Sequence, residues 1–289
     1  MPSCHNAPAT LPPPAGPLLM SRLSSFILFT ACLFLTGCIE SDTASSVTSD
    51  DSPKPSPVAQ GEPAEGANDM SEEKEYPPAP EGKVLRHAVF FSFRDTTTEE
   101  EVQEVVDAFR ALPSKIDAII DFAWGINNSP ESLNDGFTHC FLLTFKDEAG
   151  RAEYLPHPEH KNFGKVLSGK NDGTFVIDYW GDEGEPLEKE LKHAVFFRFT
   201  KEAAKEDIQK VEEAFAALPS KIDAIKRFEW GTNNSPETKD EGFTHCFMVT
   251  FDSEEGRAAY LPHPDHEAFV QILKPHLDAP RVLDFWAQK

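Results

Sequence analysis

Alternation and helical spacing divide the chain between His87 and Trp180 into a readable series of elements. His87, Val89, Phe91 and Phe93 fall on one face of a period-two stretch, with Ala88, Phe90 and Ser92 on the other. That pattern predicts a strand, and its two largely apolar faces predict cover on both sides. Val102, Val105, Val106, Phe109 and Leu112 then recur at helical spacing, predicting a helix from Thr98 to Leu112. Thr98 with Glu101 offers a capping box, and Pro113 stops the helix. Strands follow at Ile119 to Trp124 and at Phe137 to Phe145, separated by a polar loop that begins Asn127-Asn-Ser-Pro. A second helix runs from Glu148 to Leu155 and breaks at Pro156-His-Pro. Pro158 opens a further short helix to about Leu167, and Thr174 to Trp180 is the last strand.

The same series then repeats. Leu85-Arg-His-Ala-Val-Phe-Phe returns as Leu191-Lys-His-Ala-Val-Phe-Phe, and Gly136-Phe-Thr-His-Cys-Phe returns from Gly242. Tyr154-Leu-Pro-His-Pro-Glu-His returns as Tyr260-Leu-Pro-His-Pro-Asp-His. Every pair has one offset, so two complete copies stand in tandem with no insertion between equivalent positions. They occupy residues 84–180 and 190–286, joined by a Gly/Glu/Pro linker at 181–189.

The order β-α-β-β-α-β, with the second helix split, is a ferredoxin-like α+β plan: an antiparallel four-stranded sheet with helices on one face. The other sheet face needs a cover, and the second copy is the predicted one. The expected molecule is therefore a monomer in which two sheets pack face to face as an intrachain α+β barrel, a pseudo-dimer. The expected contact is His87, Val89, Phe91 and Phe93 against His193, Val195, Phe197 and Phe199. Phe91, Phe93, Trp124, Leu143 and Phe145 are the expected lining of an apolar lumen.

Residues 1–38 change the picture of where the chain works. Met20-Ser-Arg precedes an apolar run from Leu23 to Leu35, too short to span a bilayer, where about 20 apolar residues are needed. Leu35-Thr-Gly-Cys38 resembles a bacterial lipobox, which makes Cys38 the expected lipidated residue and Met20 the expected start. Residues 39–83 are rich in Ser, Pro, Glu and Asp and predict a disordered tether. The expectation is an exported lipoprotein at the cell envelope, on the periplasmic side of the outer membrane, touching the membrane only through its lipid.

A net charge of -22 argues against nucleic acid, whose phosphates require a surplus of Lys and Arg. Cys140 and Cys246 occupy equivalent positions and are expected to be two buried free thiols. No Cys/His spacing predicts a metal site.

The strand-opening His87-Ala-Val-Phe-Phe, the Gly-Phe-Thr-His of the third strand and the Tyr-x-x-His-Pro-x-His of the split helix together resemble the stress-responsive A/B-barrel (Dabb) family. The likeness spans both copies and implies a dimeric α+β barrel. Some members of that family, plant polyketide cyclases, close a linear polyketide by an aldol reaction without a cofactor, with a Tyr and a His moving protons. Carried onto matching positions, these are Tyr154 and His160, and Tyr260 and His266. His87, His139 and His157, with His193, His245 and His263, match pocket positions of the same enzymes. Other members are stress proteins with no established reaction. The resemblance thus leaves three readings open: a binder of a small hydrophobic or aromatic molecule, a cofactor-free cyclase or lyase, and a structural domain.

The residues themselves are compatible with chemistry. His160 is placed in the first turn of the helix opened by Pro158, where the helix dipole disfavours imidazolium and leaves a neutral base. Tyr154 lies one turn before the Pro-His-Pro break and can offer its hydroxyl to the same pocket. Because the copies agree at these positions, two sites of similar character are expected. Their walls differ where Gly164 aligns with Val270 and Ser168 with Lys274.

Overall fold

The computed structural model describes residues 75–289. The lipobox at Cys38 and the tether as far as residue 74 lie outside the described residues. The first copy runs β1 (Lys83–Phe93), α1 (Glu99–Arg110), β2 (Ile119–Ile126), β3 (His139–Phe145), α2 (Glu148–Tyr154), α3 (Pro158–Leu167) and β4 (Asn171–Asp182). The second runs β5 (Leu191–Phe199), α4 (Lys205–Ala216), β6 (Arg227–Thr232), β7 (His245–Phe251), α5 (Glu254–Tyr260), α6 (Pro264–Leu273) and β8 (Leu277–Trp286). Each copy forms one antiparallel sheet, ordered β2-β3-β1-β4 and β6-β7-β5-β8. The capping box on α1 is present in full: Thr98 accepts from the Glu101 amide, and Glu101 from the Thr98 amide.

The faces of the central strands are assigned opposite to expectation. Val89 and Phe91 pack under the helices, against Val105, Val106 and Phe109 of α1 and Phe163 of α3. Val195 and Phe197 do the same in the second copy. The sheets meet instead through the alternate face, with Ala88, Phe90, Leu142 and Phe175 against Ala194, Phe196, Met248 and Phe285. The reason is that both faces of β1 are apolar, so alternation marks two buried faces without saying which one the helices cover. Cys140 and Cys246 lie in this inter-sheet layer as buried free thiols.

The edges of the two sheets close on each other. Trp124 of β2 pairs with Gln288 beyond β8, and a Cβ on Gly125 would lie 2.6 Å from the Trp286 carbonyl oxygen. Only glycine permits that approach. The interface also breaks the repeat. Glu229, 3% exposed, accepts from Arg86 Nε and Nη2 at 3.1 and 3.2 Å and from the Tyr179 hydroxyl at 3.0 Å. Its counterpart in the first copy is Ala123, and those of Arg86 and Tyr179 are Lys192 and Phe285. A buried carboxylate with three side-chain hydrogen bonds at one end therefore has no twin at the other.

Candidate functional site

The site is a cavity between sheet and helices, one in each copy, rather than a lumen between the sheets. In the first copy it holds about 190 Å³, with a floor of Val89, Phe91 and Val176, and walls from Phe109, Tyr154, His160 and Phe163. The second copy has a cavity of about 180 Å³ over Val195, Phe197 and Val282, walled by Tyr260 and His266. Phe91 lines the first cavity, whereas Phe93, Trp124, Leu143 and Phe145 belong to the packing around it. The lumen expected from those five residues is corrected accordingly.

Tyr154 ends α2, and the Pro156-His-Pro break folds α3 back so that the His160 ring stacks on the Tyr154 ring at 4.3 Å. His160 Nδ1 lies 3.0 Å from the Leu155 carbonyl oxygen, which makes Nδ1 the protonated nitrogen and leaves Nε2 with a lone pair. Burial lowers the His160 pKa. The helix dipole expected to keep the ring neutral is thus joined by desolvation. Burial, reinforced by Glu237 and Asp178, holds the Tyr154 hydroxyl protonated far above the usual phenol range. His266 and Tyr260 repeat both features, and the buried Tyr260 hydroxyl has no hydrogen-bond partner among the described residues.

His87 also reaches this cavity, held by a carboxylate that sequence reasoning missed. Its Nδ1 lies 2.6 Å from Asp178 Oδ1, and Asp178 Oδ2 accepts from Arg151 Nη1 at 2.8 Å. Burial favours a neutral His87, but the charge and hydrogen bond of Asp178 outweigh it and raise the pKa. Burial would raise the Asp178 pKa, and His87 with Arg151 outweighs it to hold the carboxyl ionised. His193, Asp284 and Arg257 form the matching chain at 2.7 and 2.8 Å. Two signals were available in sequence. Each final strand carries one Asp inside an apolar run, Phe-Val-Ile-Asp178 and Val-Leu-Asp284, and a buried charge requires a partner.

The Asn-Asn-Ser-Pro loops join the copies at these chains. Arg151 Nη1 donates to the carbonyl and side-chain oxygens of Asn234, at 3.1 and 2.8 Å, and the Asp178 amide donates to Asn233 Oδ1. Asn128 and Asn127 do the same for Arg257 and Asp284. Left-handed residues at Ser132, Asp135 and Gly136, with Thr238, Glu241 and Gly242, then bend each loop over the other copy's cavity. Glu237 and Lys239 thereby line the first cavity, and Glu131 and Leu133 the second. Each site is thus completed by the opposite copy.

The remaining candidates stand elsewhere. His157 and His263 are N-caps, their Nδ1 atoms accepting from the Glu159 and Asp265 amides at 3.2 Å, and neither lines a cavity. His139 Nδ1 lies 2.9 Å from Thr138 Oγ1, and its ring meets Phe93 edge-on. His245 Nε2 lies 2.9 Å from Glu212 Oε1. Neither ring lines either of these two cavities, so the structure does not bring these four histidines together with His87 and His160 or with His193 and His266. Among the described residues, Glu131, His193 and Asp284 bring three metal-type ligand atoms within 4.8 Å of one another. Both Asp284 oxygens are already taken, by His193 and Arg257, and the guanidinium opposes a cation there. The arrangement is an ion-paired strut.

Comparison with known proteins agrees with this architecture. The chain is 35% identical over 95 residues to stress-response A/B barrel domain-containing protein HS1 of Arabidopsis thaliana, covering 33% of this chain and 87% of that protein. It is 27% identical over 96 residues to olivetolic acid cyclase of Cannabis sativa, covering 33% of this chain and 95% of that protein. Among solved structures, an anthrone oxidase-like protein superposes with a TM-score of 0.51 at 12% identity, over 72% of this chain and 93% of that one, a likeness of fold. The stress responsive A/B barrel domain family matches residues 85–181 and again 191–287. With both matches covering the two sheets and their helices, the chain belongs to that family and carries two of its domains in one polypeptide.

Proposed function

We propose that the protein binds a small aromatic or comparably sized apolar molecule in each helix-side cavity. The carrying observation is the pair of openings of about 190 and 180 Å³ beside Tyr154 and Tyr260. An apolar cavity of about 150 Å³ accepts benzene, so the natural occupant is the size of a single ring with short substituents. The floor is apolar, and the Tyr hydroxyl and His Nε2 are the polar groups that orient a guest. Benzyl alcohol tests the reading: at a hundred times its Kd it should stabilise the full chain by about 2.7 kcal/mol for each cavity it fills. Val176→Phe with Val282→Phe, which fill the floors, should abolish that gain while the protein stays folded. Stabilisation that survives both substitutions would place the ligand elsewhere.

Proton transfer on the guest is a second reading, favoured by the fixed His160 tautomer. Nε2 can take a proton from a carbon beside a carbonyl, while Tyr154 donates a hydrogen bond to the carbonyl oxygen. That is cofactor-free cyclase or lyase chemistry of the kind the name of the cannabis relative denotes. In a turnover assay His160→Ala would then cost about 10²–10⁴ in rate.

We further propose that the protein works as a lipoprotein on the periplasmic side of the outer membrane, with the binding domains on a tether. The lipobox-like Leu35-Thr-Gly-Cys38 supports this reading. Cys38→Ser should release the protein from the membrane fraction or leave its precursor uncleaved. A wild-type protein recovered wholly soluble, with its mature N-terminus elsewhere, would contradict it.

A further inference from the structure

The two cavities share their Tyr, both His and the His–Asp–Arg strut, yet their mouths differ. At one equivalent position the opposite copy delivers Lys239 to the first cavity and Leu133 to the second. The backbone delivery is the same: the Lys239 carbonyl accepts from the Val176 amide at 3.1 Å, and the Leu133 carbonyl from the Val282 amide at 2.9 Å. Only the side chains diverge. Gly164 and Thr174 at the first mouth are matched by Val270 and Pro280 at the second, so the first is more polar.

The charge at each mouth follows from that exchange. Lys239 Nζ donates to Glu237 Oε1 at 2.9 Å, which neutralises the carboxylate and leaves the ammonium with two further donors. In the second cavity Leu133 offers nothing to the equivalent carboxylate. Glu131 Oε2 is buried without a hydrogen-bond partner, and so is the Tyr260 hydroxyl of the same cavity. His193 Nδ1 lies 3.8 Å from Glu131 Oε2, but it and Arg257 spend their hydrogen bonds on Asp284, so the second cavity has no ammonium like Lys239 with donors to spare. Burial pushes the Glu131 carboxyl up, outweighing the opposing pull of His193 and Arg257.

We infer that the two cavities take ligands of different charge: the first a single-ring compound bearing a carboxylate, held at its mouth by Lys239, and the second a neutral, hydroxyl-bearing one. This inference rests on the ligand-binding reading above. A single hydroxyl satisfies both unpartnered atoms of the second cavity, accepting from the Tyr260 hydroxyl and donating to Glu131 Oε2. A carboxylate in that position would face Glu131 uncompensated.

The test titrates the full chain at pH 7 with benzoate and with benzyl alcohol, in wild type, Lys239→Leu and Leu133→Lys. Wild type should bind one benzoate per chain. Lys239→Leu should weaken benzoate at least about tenfold, the usual weight of a charged hydrogen bond. Benzyl alcohol in the second cavity, which Lys239 does not line, should keep its affinity. Leu133→Lys should raise the benzoate stoichiometry to two. Two wild-type benzoate sites, or a Lys239→Leu variant that binds benzoate as wild type does, would overturn the division of labour and leave the binding reading standing. Failure of both probes to bind wild type would overturn the binding reading and this inference with it.

Discussion

Between the sheets, Phe90, Phe175 and Phe196 are at most 1% exposed, with ring centroids 5.0 to 5.7 Å apart. Under the helices, the equally apolar floor of Val89 and Val176 faces an opening of about 190 Å³. The two regions are opposite faces of the same strands. What separates them is what each face meets: another sheet with interdigitating rings on one side, and polar side chains with fixed partners on the other. Arg151 is tied to Asp178 and Asn234, His87 to Asp178, and His160 to the Leu155 carbonyl. Groups held in this way cannot collapse into the space without leaving a buried polar atom unpaired, which costs about 1–3 kcal/mol each. The inner face therefore holds the copies together, and the outer face keeps room for a guest.

The sharpest way to break this contrast is to damage the inner face. Phe196→Ala should cost about 3–5 kcal/mol in denaturant unfolding, the usual penalty for a fully buried ring. Glu229→Ala should cost about as much, because Arg86 and Tyr179 lose a buried partner. A loss below about 1 kcal/mol in either would mean that the inter-sheet layer is not the tightly packed one.

A smaller, pH-dependent change should come from the strut under the cavity. The raised His87 pKa contributes stability that is complete below its unfolded value, about 6.5, and is lost as pH rises through the folded value. The lowered Asp178 pKa contributes stability present above its unfolded value, about 3.9, and lost as pH falls through the folded one. The stability gap between wild type and Asp178→Asn should therefore be widest between about pH 4 and 6.5. It should narrow toward pH 9 without closing, because Arg151 still distinguishes Asp from Asn. Unfolding curves from pH 5 to 9 decide this, and a gap that widens with pH would contradict the His87–Asp178 pairing.

The smallest effect separates two histidines three residues apart. His157→Ala should cost about 0.5–2 kcal/mol of stability, the weight of an N-cap, and leave benzoate affinity unchanged. His160→Ala should weaken benzoate binding by about 1–3 kcal/mol, as one polar partner is lost. Ligand affinity that follows His157 instead would return that residue to the cavity wall.

Much of this was legible in the residues. The repeat and the order of strands and helices follow from spacing and turn residues, which are local signals. The Tyr154/His160 pair came instead from the family resemblance, and the Pro-His-Pro break was only compatible with it. Choosing the helix-covered face of β1 was not local, since His87-Ala-Val-Phe-Phe is apolar on both sides and the choice is made by α1 and the opposite sheet. The histidines divided for the same reason. His157 and His160 sit on one short turn, yet backbone geometry makes the first a cap and aims the second inward. The Asn127-Asn-Ser-Pro and Asn233-Asn-Ser-Pro loops were readable only as polar turns. Their work, bracing the other copy's Arg and Asp, depends on a partner more than 50 residues away in the chain.

The central claim is the location of the guest, and methyl contacts test it most directly. Intermolecular NOEs from the ring protons of bound benzyl alcohol should reach the methyl groups of Val89 and Val176 or of Val195 and Val282, on the helix-covered faces. Contacts to Leu142, Met248 or Leu283, whose side chains fill the layer between the sheets, would contradict it.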